Sequence, residues 1–219
     1  NMEVVIGHKG KHAYEVKVDG FSCHSGQAPY GVNAINYASK LITYIEELNK
    51  EKSIKGPFDN EYEIPYSTLH TGLINGGTIL NIVPNLCQFE FEIRHLAEDD
   101  PLKIIQRIHQ YTEELLIKEM HKISLKTNIS INEKLNYPGL DISESIEPVK
   151  QVKEILNNSN HKKVIFGTEG GLFKKELNIP TIVCGPGSID QAHKPDEYIS
   201  IQQIEKGGIF IDKLINNYS

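Results

Sequence analysis

Residues 166–199, FGTEGGLFKKELNIPTIVCGPGSIDQAHKPDEYI, carry the clearest fold signal in the chain. Two short apolar runs, at 164–166 and 181–184, each break into a glycine-rich turn, which is typical of buried parallel strands. In open α/β sheets, ligands bind at the carboxyl ends of the strands. The polar residues that this pattern places at such ends are Thr168, Glu169 and His193. The segment therefore predicts a ligand site at the edge of a parallel α/β layer.

The sequence on both sides of this segment continues the same pattern. Ser200 and Gln203 have the spacing of a capping box at the start of a helix. An alternation of helices and short apolar strands indicates a parallel α/β layer. The predicted elements are a strand at 2–7, a helix from about residue 144, a strand at 163–166, a short helix at 170–177, a strand at 181–184 and a helix at 201–216.

Residues 12–131 show a different pattern, in which helical stripes separate strands of alternating apolar and polar residues. The predicted elements are strands at 12–19, 68–74, 88–94 and 123–131, a helix at 30–50, and a helix from Pro101 capped by Asp99 or Asp100. Their order, β-α-β-β-α-β, is that of a ferredoxin-like sandwich with two helices on one face of an antiparallel sheet.

Composition argues against several classes of protein. The 219 residues suffice for one large domain or two small ones, and no apolar run approaches the ~20 residues that span a bilayer. A net charge of −6 and a pI near 5.9, without a lysine or arginine cluster, argue against nucleic-acid binding. We therefore expect a small-molecule substrate or a protein partner, and neither a membrane segment nor a secretory signal. The three cysteines lack CxxC spacing, which favours free thiols in a reducing cytoplasm.

The motif GPGSIDQAHKPDEY at 185–198, with Gly167-Thr168-Glu169 before it, resembles the C-terminal motif of the dinuclear-zinc amidohydrolases and metallopeptidases. That family includes acetylornithine deacetylases, succinyl-diaminopimelate desuccinylases and aminoacylases, and the acetylornithine deacetylases resemble this sequence most. Weaker motifs precede it in the order that the family uses: GHKG at 7–10, CHSG at 23–26, the glycine pair 76–77 followed by Asn81, and Arg94.

The resemblance implies an architecture in which the sandwich is inserted into an α/β catalytic domain. Residues 10–132 would be the inserted lid, through which two copies form a homodimer. Residues 1–9 and 133–219 would be the C-terminal part of the metal-dependent catalytic domain. The resemblance places most metal ligands and the general base in a part of the protein that precedes residue 1. This chain alone is therefore expected to be inactive.

The resemblance also implies roles for six residues. His193 would bind one of two zinc ions, with cobalt as an alternative metal. His24 would be catalytic, donating a hydrogen bond to the oxyanion of the reaction in the partner subunit's active site. The substrate-binding residues would be Asn81 and Arg94 on the substrate carboxylate, Thr168 beside the substrate, and Glu169 facing an ammonium group.

The residue types by themselves leave simpler roles open. His193 could bond to Asp190 or Asp196, His24 could be a solvated loop histidine, Arg94 could pair with Glu90 or Glu92, and Glu169 could be a hydrogen-bonded structural acid. Seven other histidines lie on predicted helix or strand faces without the spacing of metal ligands, and we predict that they are structural or exposed: His8, His12, His70, His95, His109, His121 and His161.

The reaction that the resemblance implies is hydrolysis of the amide bond of a small N-acyl amino acid by a metal-bound hydroxide. In the most similar members, N-acetyl-L-ornithine is converted to ornithine and acetate in arginine biosynthesis. Two alternatives stay open. The chain could be a non-catalytic homodimerisation module, or the enzyme could remove another acyl group, as a desuccinylase or an aminoacylase does.

Overall fold

A computed structural model of the chain describes residues 1–192 and 194–217. The chain divides into two compact units. The first, here called the α/β unit, contains residues 1–9, 60–63 and those from 138 onwards. The second, the sandwich unit, contains residues 10–59 and 64–137. In the described part of the chain, every helix is too short or too polar to cross a membrane.

The elements follow one another along the chain in a mixed order of strands and helices. The strands are β1 (Val5–His8), β2 (Gly10–Asp19), β3 (Thr68–Gly76), β4 (Leu86–His95), β5 (Asn128–Tyr137), β6 (Leu140–Asp141) and β7 (Lys162–Val164). The α-helices are α1 (Ala34–Lys55), α2 (Pro101–Tyr111), α3 (Lys118–His121), α4 (Glu147–Leu156), α5 (Gly170–Leu177) and α6 (Ile201–Asn217). Shorter turns are 3-10 helical at Ser25–Tyr30 and Ile189–Gln191, and Thr112–Ile117 is π-helical.

The sandwich unit is built on an antiparallel sheet with the strand order β3-β4-β2-β5. Alternate residues of β2 and β4, such as Val16 and Phe89, are buried against α1 and α2, where Leu41 and Ile108 complete the core. Each fully buried side chain of this kind contributes roughly 1.5 to 3 kcal/mol. The helices and strands follow the order β-α-β-β-α-β, so the predicted ferredoxin-like sandwich is confirmed.

Helix α1 begins later than its apolar stripe suggested. The side chain of Asn33 accepts hydrogen bonds from the backbone N–H groups of Ile35 and Asn36, at 3.0 and 3.2 Å, and so caps the helix. Pro29 lies in the preceding 3-10 turn. The helix ends at Gly56, whose φ of 70° suits glycine. The predicted start at residue 30 was therefore wrong, because the 3-10 turn and the Asn33 cap precede the α-helix.

The first part of the predicted strand at 123–131 is also wrong. Strand β5 begins at Asn128, and Ile123 and Leu125 are exposed. The Oγ1 of Thr127 donates to the carbonyl of Ser124 at 2.7 Å, which closes a turn over these residues. The apolar residues alternate through the turn as they do in a strand, so periodicity alone could not separate the two.

The α/β unit contains a three-stranded sheet with the order β6-β1-β7, in which β1 is parallel to β7 and antiparallel to β6. Its core is formed by six buried residues: Val4, Ile6, Leu140, Ile142, Val149 and Val152. The predicted strand at 181–184 is absent from this described region, and a single bridge joins Val183 to Val5. Pro180 and Pro186 flank this run and lack the N–H that a ladder needs, which limits pairing.

Candidate active site

Thr168 and Glu169 lie in the α/β unit between β7 and the start of α5. The Oγ1 of Thr168 accepts a hydrogen bond from the backbone N–H of Gly170 at 3.1 Å, which satisfies one of the unpaired donors of the first helical turn. The side chain of Glu169 is exposed. These two residues are therefore held at the beginning of a helix, with the carboxylate available to solvent.

The glycine pair after Glu169 lets α5 begin against neighbouring backbone. A Cβ atom on Gly171 would lie 2.4 Å from the carbonyl oxygen of Pro138, a distance that no side chain tolerates. A Cβ on Gly170 would lie 3.1 Å from a methyl carbon of Leu140. The sequence GTEGG thus allows a close approach of helix and sheet that fixes the position of Thr168 and Glu169.

His8 supports this turn from the last position of β1. Its ring is fully buried, the Nδ1–H donates to the carbonyl oxygen of Lys9 at 3.0 Å, and Nε2 accepts from the backbone N–H of Thr168 at 3.4 Å. Burial lowers the pKa of His8, although the contact with the Lys9 carbonyl and the nearby Glu169 carboxylate act in the opposite direction. No sequence motif indicated this contact, because the two residues are far apart in the chain. The one feature that could have suggested the contact with Thr168 was the position of His8 at the carboxyl end of a predicted strand.

A pocket of about 700 Å³ lies in the α/β unit beside the glycine-rich loop at 185–188. The N–H of Gly187 donates to the side chain of Gln203 at 3.2 Å, and the Oγ of Ser188 accepts from the N–H of Asp190 at 3.3 Å. Thr168 and Glu169 do not line this pocket. His193, the predicted metal ligand, lies outside the described residues.

His24 and Asn81 lie together on two paired loops of the sandwich unit. His24 forms a bridge with Ile82, and the N–H of Ser25 donates to the carbonyl of Asn81 at 2.9 Å. His24 is exposed, and its Nδ1 accepts from the N–H of Gly26 at 3.1 Å. A neutral ring that accepts at Nδ1 carries its proton on Nε2. The loop thus presents a single imidazole donor to solvent.

Arg94 is engaged within the sheet of the sandwich unit. Its Nε donates to one oxygen of Glu92 at 2.9 Å, and its Nη1 donates to the hydroxyl of Tyr137 at 2.7 Å. Lys11 also pairs with Glu92, at 2.6 Å. Burial alone would raise the pKa of Glu92, but Arg94 and Lys11 outweigh it and hold the pKa below its ordinary value. The structure therefore contains the ion pair that residue types had left open, and the role of Arg94 in substrate binding stays a prediction.

The described residues do not assemble a metal site. Within 1–192 and 194–217, no three His, Cys, Asp or Glu side chains are grouped so that they could hold an ion. Zinc requires three or four nitrogen, oxygen or sulfur ligands. The donor set of this part of the chain therefore does not fit a two-zinc centre without ligands from elsewhere.

Comparison with known proteins identifies a family model that matches about half of the chain and relatives that align with nearly all of it. The sequence model of the peptidase dimerisation domain matches residues 6–120. Acetylornithine deacetylase of Buchnera aphidicola subsp. Acyrthosiphon pisum (strain Tuc7) is 30% identical over 223 residues, which cover 100% of this chain and 55% of that protein. The Aliivibrio salmonicida protein of the same name is 32% identical, over 99% of this chain and 53% of its own length. The chain spans about half the length of the curated relatives that it matches.

Solved structures share the fold. The aminopeptidase PepT from Bacillus cereus superposes with a TM-score of 0.72 at 22% identity, over 96% of this chain and 52% of that one. The M20 family metallo-carboxypeptidase Sso-CP2 from Sulfolobus solfataricus gives a TM-score of 0.67 at 18% identity, over 95% and 58%. At these identities the structures show the fold alone, whereas the dimerisation-domain match covers more than half of the sequence. The chain therefore belongs to the peptidase dimerisation domain family of the M20 peptidases.

Proposed function

We propose that this chain is the C-terminal portion of a zinc-dependent amide hydrolase that converts N-acetyl-L-ornithine to ornithine and acetate, a step of arginine biosynthesis. The observation that carries the proposal is the similarity, along the entire chain, to proteins named acetylornithine deacetylase. The free thiols of Cys23, Cys87 and Cys184 support a cytoplasmic location.

In this proposal His24 acts on the reacting amide of a partner subunit. An exposed ring with its proton on Nε2 is suited to donate to an oxyanion that develops in the transition state. The backbone pairing of the two loops fixes the ring relative to Asn81, which would bind the substrate carboxylate. Preorganised donors of this kind stabilise a transition state because they need no rearrangement during the reaction.

Arg94 would assist Asn81 on the same carboxylate. The guanidinium has five N–H donors, and the hydrogen bonds to Glu92 and Tyr137 leave some of them for a ligand. Thr168 would lie beside the substrate, and the exposed carboxylate of Glu169 would face the side-chain ammonium of ornithine.

The proposed enzyme uses two zinc ions, with cobalt as an alternative. His193 is the ligand that we assign to this chain, and the other ligands would come from a part of the protein beyond residues 1–219. Because the described residues do not form the metal site, we derive no reaction step through the metal.

The homodimer would form through the sandwich unit, which the dimerisation-domain match covers up to residue 120, before β5. Strand β3 is at one edge of the sheet, and it and the loop that follows expose five large apolar side chains: Leu73, Ile74, Ile79, Leu80 and Ile82. The Leu80 side chain is 98% exposed. An exposed apolar edge strand promotes aggregation of a monomer. We therefore propose that β3 pairs with a second copy of the chain.

The reaction is tested with the full-length protein that contains this chain, supplied with zinc or cobalt. The substrates are N-acetyl-L-ornithine, N-succinyl-L,L-diaminopimelate and N-acetyl-L-methionine, and release of the free amine is measured. We expect kcat/KM for N-acetyl-L-ornithine to exceed that for the methionine derivative by at least about 100-fold, because a site built for an ammonium group rejects an analogue without one. A higher value for the succinyl substrate would instead indicate a desuccinylase.

Two observations favour a different class of function. The family model describes a dimerisation domain, and the described residues form no group of metal ligands. A non-catalytic homodimerisation module would show the same two features. If the full-length protein forms dimers yet hydrolyses none of the three substrates with either metal, the module becomes the better account.

A further inference from the structure

The ring of His8 joins two segments of the α/β unit that are distant in sequence. It occupies the carboxyl end of the central strand β1, where it is fully buried. One ring nitrogen contacts the backbone of the next residue, and the other contacts the backbone of Thr168. Neither contact uses a side chain of the partner residue.

The direction of these hydrogen bonds follows from the groups involved. The carbonyl oxygen of Lys9 can only accept, so Nδ1 carries a proton and donates across 3.0 Å. The backbone N–H of Thr168 can only donate, so Nε2 accepts across 3.4 Å, which is at the long end for such a bond. Both contacts can form together only when the ring is neutral and carries its proton on Nδ1.

The Thr168 N–H belongs to a short chain of contacts that reaches the beginning of α5. The Oγ1 of Thr168 accepts from the N–H of Gly170, and the close approach of Gly171 to the carbonyl of Pro138 leaves the helix little freedom to shift. Glu169 lies between these fixed points, and its side chain extends to solvent. The ring of His8 therefore restrains the backbone before the exposed carboxylate of Glu169, and the packing of Gly171 restrains the backbone after it.

We propose that His8 is a positioning residue, whose Nε2 holds the turn that presents Thr168 and Glu169 to the substrate ammonium. This inference rests on the proposed function, because it takes the ligand of Glu169 to be a basic amino acid. His8 itself does not touch the substrate. Replacing His8 would keep the carboxylate of Glu169 but would remove the contact that restrains its position.

Burial of the ring favours the neutral form that this role needs. Burial lowers the pKa of His8, and the carboxylate of Glu169 opposes the shift. On the neighbouring strands, Lys163 and Asp141 pair with each other at 2.7 Å. Lys9 follows His8 directly and also has a pKa lowered by burial. Protonation of Nε2 at low pH would convert an acceptor into a donor that faces the Thr168 N–H, and the contact would be lost.

The test compares His8→Gln with His8→Leu in the full-length protein. The side-chain oxygen of glutamine can replace Nε2 as an acceptor, whereas leucine fills the space without one. Two substrates are used, N-acetyl-L-ornithine and N-acetyl-L-norvaline, which lacks the ammonium. We expect His8→Leu to lower kcat/KM for the ornithine substrate on the order of 10- to 100-fold, mainly through KM, and to leave the norvaline substrate within about 3-fold. His8→Gln should restore most of the preference, and it should lack the low-pH loss of preference that we expect in the wild type.

Equal losses on both substrates in His8→Leu would overturn the proposal, because a general structural defect affects both alike. Amide hydrogen exchange at Thr168 gives a readout that does not depend on activity. Faster exchange in His8→Leu and wild-type exchange in His8→Gln support the contact, and unchanged exchange in His8→Leu refutes it. If the wild-type protein hydrolyses no acetylornithine, the proposed function fails, and the exchange data still decide whether His8 holds the turn.

A measurement on the wild type keeps the proposal testable if His8→Leu does not fold. The ¹⁵N spectrum of the imidazole distinguishes the two neutral tautomers. The proposal expects the Nδ1-protonated form for His8 at neutral pH. The Nε2-protonated form or a charged ring would overturn it.

Discussion

His24 shows how a local hydrogen bond selects the chemistry of a residue. Because Nδ1 accepts from the Gly26 N–H, the exposed Nε2 is a donor and not a base. A donor suits the oxyanion role, whereas a general base would need an unprotonated outward nitrogen. The sequence placed this histidine in an exposed loop but could not assign the tautomer, since the Gly26 contact depends on the turn geometry.

We predict that His24→Ala in the full-length protein lowers kcat by two to three orders of magnitude, about 3 to 4 kcal/mol, because one oxyanion donor is removed. Metal content should stay unchanged. The control is His70→Ala, which alters an exposed histidine of β3 in the same unit. A kcat for His24→Ala within about 3-fold of the control would refute the role.

Subunit mixing tests whether His24 acts across the dimer. A His24→Ala subunit paired with a His193→Ala subunit would contain one site with an intact metal ligand and a wild-type His24 from the opposite chain. Partial recovery of activity is expected in such heterodimers. Failure to recover, with heterodimers shown to form, would mean that His24 serves its own subunit or none.

Lys9 gives a prediction on stability. Burial lowers the pKa of Lys9 from an ordinary value of 10.5 to about 8. The unfolded chain then binds more protons than the folded chain between these values, so the free energy of unfolding rises as the pH increases from about 8 towards 10.5. The gain is roughly 3 kcal/mol at most. Below pH 8 both states are protonated, and the gain is absent.

Denaturant unfolding of this chain between pH 7.5 and 10 measures the effect. Lys9→Met should flatten the rise, because it removes the titrating group, and Lys175→Met, a change at an exposed lysine of α5, should not. Equal slopes for wild type and Lys9→Met would show that the ammonium of Lys9 is not destabilised by burial.

At the scale of secondary structure, a prediction was correct where the sequence pattern is compatible with only one type of element. The stripe of α2 and its Asp100 cap gave the correct helix, since the Oδ1 of Asp100 accepts from the N–H of Leu102 at 2.9 Å. The stretch at 123–131 failed because a turn can alternate apolar residues as a strand does. The predicted strand at 181–184 was wrong because hydrophobicity indicates burial alone. Strand pairing also needs backbone N–H groups, which the neighbouring prolines lack.

The exposed edge of β3 provides a prediction on assembly. Ile74→Lys should weaken the homodimer by roughly 100- to 10,000-fold in Kd, because each apolar contact of roughly 1.5 to 3 kcal/mol occurs twice in a symmetric interface. Leu135→Lys on β5, at the opposite edge of the sheet, is the matched control, with a similar exposure of 51% against 56%. Sedimentation velocity of the full-length protein gives the dimer Kd of both variants. If only Leu135→Lys dissociates the dimer, the interface lies at β5 and the proposal for β3 is wrong.

At the scale of the whole molecule, the motifs at 167–169 and 185–198 were enough to indicate the family, and the family match at 6–120 confirms it. The sequence also predicted the antiparallel sheet of the sandwich unit, but in the α/β unit it predicted a strand at 181–184 that is absent and did not predict the antiparallel strand β6. It could not show which predicted site residues come together, because that depends on contacts between distant segments. The pairing of the His24 and Asn81 loops and the contact of His8 with Thr168 are two such cases.

We predict that this chain alone retains well under one zinc ion per molecule after dialysis and does not hydrolyse N-acetyl-L-ornithine. The physical reason is that the described residues offer no group of three ligands. Metal analysis and an assay with added zinc or cobalt provide the measurement, and the full-length protein is the control. Turnover by the chain alone in the ordinary enzyme range of about 1 to 1000 per second would contradict the prediction.

The discontinuous α/β unit has a consequence for synthesis on the ribosome. Strand β1 is made before the sandwich unit, but its sheet partners β6 and β7 are made after it. At ~5 to 20 residues per second, β1 would wait on the order of ten seconds without a partner, while the sandwich can complete its own sheet. During that interval a strand with four buried residues in the native fold stays open to chaperones or to a wrong partner. The order of translation therefore leaves β1 without its sheet partners until β6 and β7 have been made.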